Sequence, residues 1–266
     1  MRTIHLLTAN GAGLGHRLGK LFNLILHVNR NLDLTNNCIH YHWSPTSMVG
    51  KCDFVELFEC SLPYVKVTSH LFEEAQYLME LAPAIHLQPP QLPLTVARQL
   101  VDDYILLDWT PEIELMPRER GFFEPIFKLA EPLNSQLQRC KKLFQLSNSI
   151  GFQVRCREDK NSVIDRASNS SKIAIIESYL EQVKDQHFFF CTDSQFVEQY
   201  VVSKRPDACY IPKNYTKVEG NDKFISRSDK RQCLIAAVEF FCLMECKMLL
   251  KWNVGGWTQF ARFLRK

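Results

Sequence analysis

The residues best suited to chemistry begin with the run Val-Arg-Cys-Arg-Glu-Asp-Lys at 154–160, which directly follows an apolar strand-like segment, IGFQV. An arginine at the carboxyl end of a parallel strand points toward the crevice where α/β proteins bind ligands. Its guanidinium presents a rigid fork of donors that matches two phosphate oxygens, a match that lysine cannot reproduce. Arg155 is therefore a candidate phosphate ligand, with a surface salt bridge as the plainer alternative. Glu158 and Asp159 offer carboxylates for proton transfer, although adjacent acids commonly do no more than solvate a loop. A second candidate is Gly11-Ala12-Gly13-Leu14-Gly15-His16-Arg17, glycines at a strand–helix junction where backbone N–H groups can approach an anion. The same glycines also suit an ordinary tight turn. A dinucleotide fingerprint would need a third glycine where His16 stands and an acid closing the next strand, where Ser44 and Pro45 follow instead. His40 and His42, two apart on a predicted strand, share one face and could grip a metal. No third ligand lies near them in the sequence, so no metal site is expected.

Such groups need a folded frame, and the composition supplies one. The 266 residues are 46% hydrophobic and 23% charged, which excludes a disordered or low-complexity chain. Lys and Arg number 32 against 29 for Asp and Glu, a net charge of +3 that is too mild for a protein living on nucleic-acid phosphates. The ten cysteines form no Cys-x-x-Cys pair, and several stand inside apolar runs, as in FFFCTD and FFCLMEC. They read as free thiols in a reducing compartment. The opening MRTIHLLTANG is too short in its apolar part for a signal peptide, and the apolar stretch from Ile235 to Leu250 is broken by Glu239, Glu245 and Lys247. A cytoplasmic protein without a transmembrane segment is expected.

The periodicity predicts a strand over RTIHLLTA, a helix over HRLGKLFNLILHVNRNL and a strand over CIHYHW. A strand–helix–strand unit of that length implies a parallel pair. A proline-rich middle follows, then FFEPIFKLAEPLNSQLQRCKKLFQL, read as a connecting helix. Past it the alternation restarts: IGFQVRC strand, SKIAIIESYLEQVKD helix, HFFFCTD strand, QFVEQYVVSK helix, ACYIP strand, KRQCLIAAVEFFCLMEC helix, KMLLKW strand, GWTQFARFLRK helix. The expected architecture is α/β: two Rossmann-like lobes, residues 1–120 and 146–266, joined by 121–145 and facing a cleft.

The order of the blocks GLGHRL, IGFQVRCRED, FFFCTDS and AVEFFCLMECKMLLKWNVGGWTQFA resembles the fucosyltransferase superfamily of NodZ-type, α1,6- and protein O-fucosyltransferases. The likeness covers about two thirds of the chain. It implies a GT-B-like fold, an inverting hexosyltransferase activity with GDP-fucose as donor, a carbohydrate or glycoconjugate acceptor, and no metal or other cofactor. Carried over by position, Arg155 falls on the family's diphosphate arginine, and Asp193, followed by Ser194, on its A-T-D aspartate. Gln153 stands where histidine is usual, Glu158 where aspartate is usual, and Glu239 where an aspartate reads guanine. Gly255, Gly256 and Thr258 fall on a serine-rich phosphate loop. Gly13, Gly15, His16 and Arg17 fall on the glycine loop, with His16 in place of an asparagine. The acceptor pocket is expected within residues 45–120, where no motif is recognised. Two other readings stay open: a related transferase using another nucleotide sugar, and a non-catalytic sugar-nucleotide or glycan-binding protein.

Overall fold

The computed structural model describes residues 2–8, 13–31, 37–69, 85–87, 104–107, 123–156, 169–219, 222–226 and 228–250. The chain divides into two compact units, Met1–Ala130 together with Lys266, and Glu131–Arg265.

The first unit is built on a five-stranded sheet of β1 (Arg2–Leu7), β2 (Asn37–Trp43), β4 (Val65–Ser69), β5 (Ile85–Leu87) and β6 (Tyr104–Leu107). The spatial order is β4-β2-β1-β6-β5, and every neighbouring pair is parallel. The chain thus builds outward from β1 on one side and then returns to its other side, which makes the carboxyl end of β1 a topological switch point. Helix α1 (Leu14–Asn31) follows β1 with Leu18, Leu21, Phe22, Ile25 and Leu26 all buried, at the spacing that the sequence predicts. Phe22 meets Phe123 edge-on at 5.3 Å. Trp43, Phe54 and Phe58 extend this aromatic core, with centroids 5.6 Å apart at each step.

The predicted connecting helix over residues 122–146 is in fact broken. A single turn, Phe123–Ile126, leads into β7 (Phe127–Leu129), which pairs antiparallel with β3 (Phe58–Cys60). Only Leu133–Leu143 is a sustained helix. Pro132 lacks the N–H that a helix interior requires, so the helix starts immediately after it.

In the second unit β8 (Ile150–Val154) lies between β9 (Phe188–Thr192) and the short β12 (Met248–Leu249), again all parallel. Helices Asn169–Gln182, Gln195–Lys204 and Lys230–Glu245 accompany this sheet. Phe152, Phe188, Phe190, Ile176, Val183, Val197 and Val201 form one core cluster. The run FFFC is buried throughout, because a parallel strand is covered on both faces. ACYIP is not a strand: Cys209 makes one isolated bridge to Phe189 before Pro212 ends the pairing. A hairpin of β10 (Tyr215–Glu219) and β11 (Asp222–Ile225) follows instead. Its alternating YTKVE and the Gly220-Asn221 between the strands were a readable turn signal.

Gly151 on β8 is closely packed. A Cβ there would stand 2.6 Å from Leu249 Cδ2 and 2.9 Å from Cys246 Sγ, whereas one on Gly13 would meet nothing within 4 Å. Gly151→Ala is therefore expected to cost about 1–3 kcal/mol through overpacking, read as a lower midpoint in urea. Gly13→Ala should leave that midpoint nearly unchanged, and equal midpoints for the two variants would refute the packing argument.

Candidate functional site

Parallel pairing places Val154 beside Thr192, so the residues that follow them, Arg155 and Asp193, emerge together at the carboxyl ends of β8 and β9. The Cys156 N–H donates to Asp193 Oδ1 at 2.7 Å, fixing the carboxyl against the turn that carries Arg155. Burial pushes the Asp193 pKa up, while the Cys156 hydrogen bond and the Arg155 charge pull it back. Arg155 itself is half-buried. A cation is thus presented at the end of the strands with a carboxyl group beside it. Gln153 is half-buried within β8, in register with Cys191.

Behind the strand ends lies an ionic network. Lys213 Nζ donates to the Thr192 carbonyl at 2.7 Å and forms an ion pair with Glu239, which stands on the Lys230–Glu245 helix. The Lys213 and Glu239 side chains are only 3% and 10% exposed, so this pair is cut off from water. Burial raises the Glu239 pKa to about 7 against the opposing pull of Lys213. Burial alone would lower the Lys213 pKa, but Glu239, Cys191 and Glu198 together leave it raised. Alongside, the Tyr215 hydroxyl donates to Glu198 Oε2 at 2.6 Å. Burial also drives the Cys191 thiol well above its ordinary range, and the Glu239 charge adds to that rise.

Lys213 was missed in the sequence, where it stands in the irregular stretch IPKNY. The available signal was Glu239 itself. A carboxyl flanked by Val238, Phe240 and Phe241 on a helix needs either a buried cation or a raised pKa, and Glu239 has both.

Other expected site residues carry structural tasks. Ser194 is fully buried and caps the helix Gln195–Lys204. Its Oγ accepts from the Val197 N–H at 3.2 Å and donates to Asp222. Asp222 in turn accepts the Phe196 N–H at 3.0 Å, tying β11 to the start of that helix. In the first unit the Gly13 carbonyl accepts the Arg17 N–H at 3.1 Å and opens α1. Gly15 is half-buried and His16 is exposed. Arg17, in contrast, is fully buried. Its guanidinium donates to the Ser44 carbonyl at 2.7 Å and to Thr46 Oγ1 at 3.0 Å, and lies 5.2 Å from the Trp43 ring centroid. It pins the segment after β2 onto α1. Glu158, Gly255, Gly256 and Thr258 lie outside the described residues.

The sequence matches no family model and no curated protein. Solved structures do match. Fucosyltransferase NodZ from Bradyrhizobium is 16% identical with a TM-score of 0.64, covering 99% of this chain and 93% of that one. A NodZ α-1,6-fucosyltransferase co-crystallised with GDP is 17% identical with the same TM-score, covering 99% and 92%. A variant of Arabidopsis thaliana FUT1 in complex with GDP is 13% identical with a TM-score of 0.58, covering 99% of this chain and 68% of that one. These matches span nearly the whole chain, and on them the chain has the fold of the NodZ-type fucosyltransferases.

Proposed function

We propose that the protein is a glycosyltransferase, in the finer reading an inverting fucosyltransferase that carries fucose from GDP-fucose to a carbohydrate or glycoconjugate acceptor. The observation that carries this reading is Arg155 emerging beside Asp193 at the carboxyl ends of β8 and β9, in a fold whose solved examples include complexes with GDP and a crystal soaked with GDP-fucose. The acceptor oxygen bonds to the anomeric carbon as the bond from that carbon to the diphosphate breaks. GDP leaves with the bonding pair, so negative charge grows on the diphosphate. A fixed guanidinium aimed at that charge stabilises the transition state more than the ground state. Asp193 and the Cys156 N–H hold the turn bearing Arg155, which lets the guanidinium act without reorganising. The acceptor's proton goes to Glu158 or Asp159. Gln153, Gly13, Gly15, His16 and the Gly255–Thr258 turn are further donor contacts in this proposal, and a two-lobe GT-B cleft is part of it. All ten cysteines are free thiols, which supports a cytoplasmic location. Among the described residues no helix is long and apolar enough to cross a membrane.

The test is release of GDP from GDP-fucose, with and without a panel of glycan acceptors, beside a thermal-shift screen of other nucleotide sugars. Slow hydrolysis without acceptor and stabilisation by GDP are expected. Binding of GDP with no turnover under any condition would leave a binding protein, and stabilisation by a different nucleotide sugar alone would reassign the donor. Because a guanidinium meets the diphosphate in this mechanism, transfer is expected to continue in excess EDTA. Loss of activity on chelation and its return with Mn²⁺ would overturn that part.

A further inference from the structure

The sequence offers two histidines on one strand; the fold brings a third. In the parallel pairing of β1 with β2, His5 stands opposite His40, and His42 lies two residues further along the same face. His5 Nδ1 is 3.0 Å from His42 Nε2. The His40 and His42 rings are 4.1 Å apart centroid to centroid, and the His5 ring is 5.3 Å from each. One nitrogen from each ring lies within 4.8 Å of the others. From these three convergent imidazoles we infer a divalent transition-metal site, zinc in the first instance, that bridges β1, the central strand of the first unit's sheet, and its neighbour β2.

The chemistry of the donor set supports it. A neutral imidazole offers a lone pair on one ring nitrogen, and three such rings converge here. Three neutral nitrogens with a fourth position left for water form a common zinc coordination set. Bonds of about 2.0–2.1 Å in a tetrahedron put ligand nitrogens roughly 3.3 Å apart. The His5–His42 pair is already near that spacing, and one nitrogen of His40 lies within 4.8 Å of both. His40 Nε2 lies 2.8 Å from Thr68 Oγ1 on the next strand, β4. With Nε2–H donating to that hydroxyl, the lone pair sits on Nδ1, and the ring is held by the kind of outer partner that orients metal-binding histidines. His42 is buried, while His5 and His40 are half-buried, so an ion could reach the cluster and stay. A ladder of hydrogen-bonded imidazoles that never takes a metal is the competing structure. The inference stands apart from the donor-site reading, whose mechanism routes no step through these residues.

The experiment uses the full chain, stripped with a chelator and dialysed, then titrated with Co²⁺ as a spectroscopic probe and with Zn²⁺. One metal per chain is expected, with the intense visible bands of four-coordinate Co²⁺, no thiolate-to-metal charge-transfer band, displacement by Zn²⁺ and a raised melting temperature. His5→Asn and His42→Asn should each abolish stoichiometric binding. Thr68→Val should weaken it by roughly 10- to 100-fold. Absence of saturable binding overturns the inference, as does binding unchanged in both histidine variants. A thiolate band would place the metal on cysteines and overturn it too. If a histidine variant fails to fold, the wild-type cobalt spectrum and the Thr68→Val affinity decide between the same outcomes.

Discussion

Arg155→Ala is expected to slow transfer by roughly 10²–10³-fold while leaving the fold intact. The residue is half-buried at a strand end, outside the core of the second unit, so its truncation opens no cavity. Removing one charge-stabilising donor from a transition state typically costs about 3–4 kcal/mol, a rate loss of roughly 10²–10³-fold. Arg155→Lys should recover little of it, since an ammonium offers a point charge where the diphosphate needs a planar fork. The measurement is kcat with GDP-fucose and a working acceptor, alongside a melting curve for each variant. A lysine variant near the wild-type rate would mean that the residue acts only through its charge or stands outside the site. The effect should fall on kcat more than on KM, because the charge being stabilised grows as the bond breaks.

Lys213→Met is expected to produce the largest loss of stability. It leaves the Glu239 carboxylate buried without its cation, and breaking one side of a buried pair costs about 3–5 kcal/mol. Chemical denaturation of the single variant and of Lys213→Met with Glu239→Leu separates the terms. Replacing both members with apolar groups should restore most of the loss. The pH dependence has a definite sign. The pKa of Glu239 is raised above its ordinary value, to about 7, so a proton on it favours the folded state. That contribution is present below the ordinary carboxylate pKa and is lost as the pH climbs through the raised one. Without Lys213 the carboxylate is harder to ionise still. The single variant should therefore be least impaired near pH 5 and most impaired near pH 8, both approximate bounds set by this linkage. A cost that is flat across that window would show that Glu239 is not the group left exposed. The double variant also tests the guanine reading. If Glu239 accepts the N1–H and N2–H₂ of guanine, the double variant folds but binds GDP no better than UDP. Retained preference for GDP would leave Glu239 with its structural role alone.

How much of this was legible beforehand varies with the kind of signal. Helix α1 and the strands on either side of it were readable because an amphipathic period and short apolar runs are local properties, visible as Leu18, Leu21, Phe22, Ile25 and Leu26 against the exposed His16 and Asn29. The break at Pro132 is equally local: a residue without an N–H cannot lie inside the single helix that the apolar spacing over 122–146 predicts. The β10–β11 hairpin went unread although its strands alternate and its turn residues are plain. Arg155 was found because the end of an apolar strand is itself a position in an α/β sheet. Arg17 and Ser194 were expected at a ligand because of their neighbours in the sequence. Their partners Ser44, Thr46 and Asp222 lie 27 or more residues away, and nothing local to Arg17 or Ser194 announces them.

Residue order alone carries the α/β character, the strand that runs out just before Arg155, the helix that bears Glu239 and the need of that carboxyl for a partner. Each of these follows from burial pattern or residue chemistry over a few turns of chain. Which residues meet is a property of the folded chain. Strand pairing put Asp193 beside Arg155, folded Lys213 against Glu239 and Thr192, and turned a pair of histidines into a cluster of three by laying His5 opposite His40. The physical reason is that parallel neighbours are brought together by crossover connections. Register across such a pair is set by the packing of whole strands and helices, and no spacing within either strand records which residue will stand opposite.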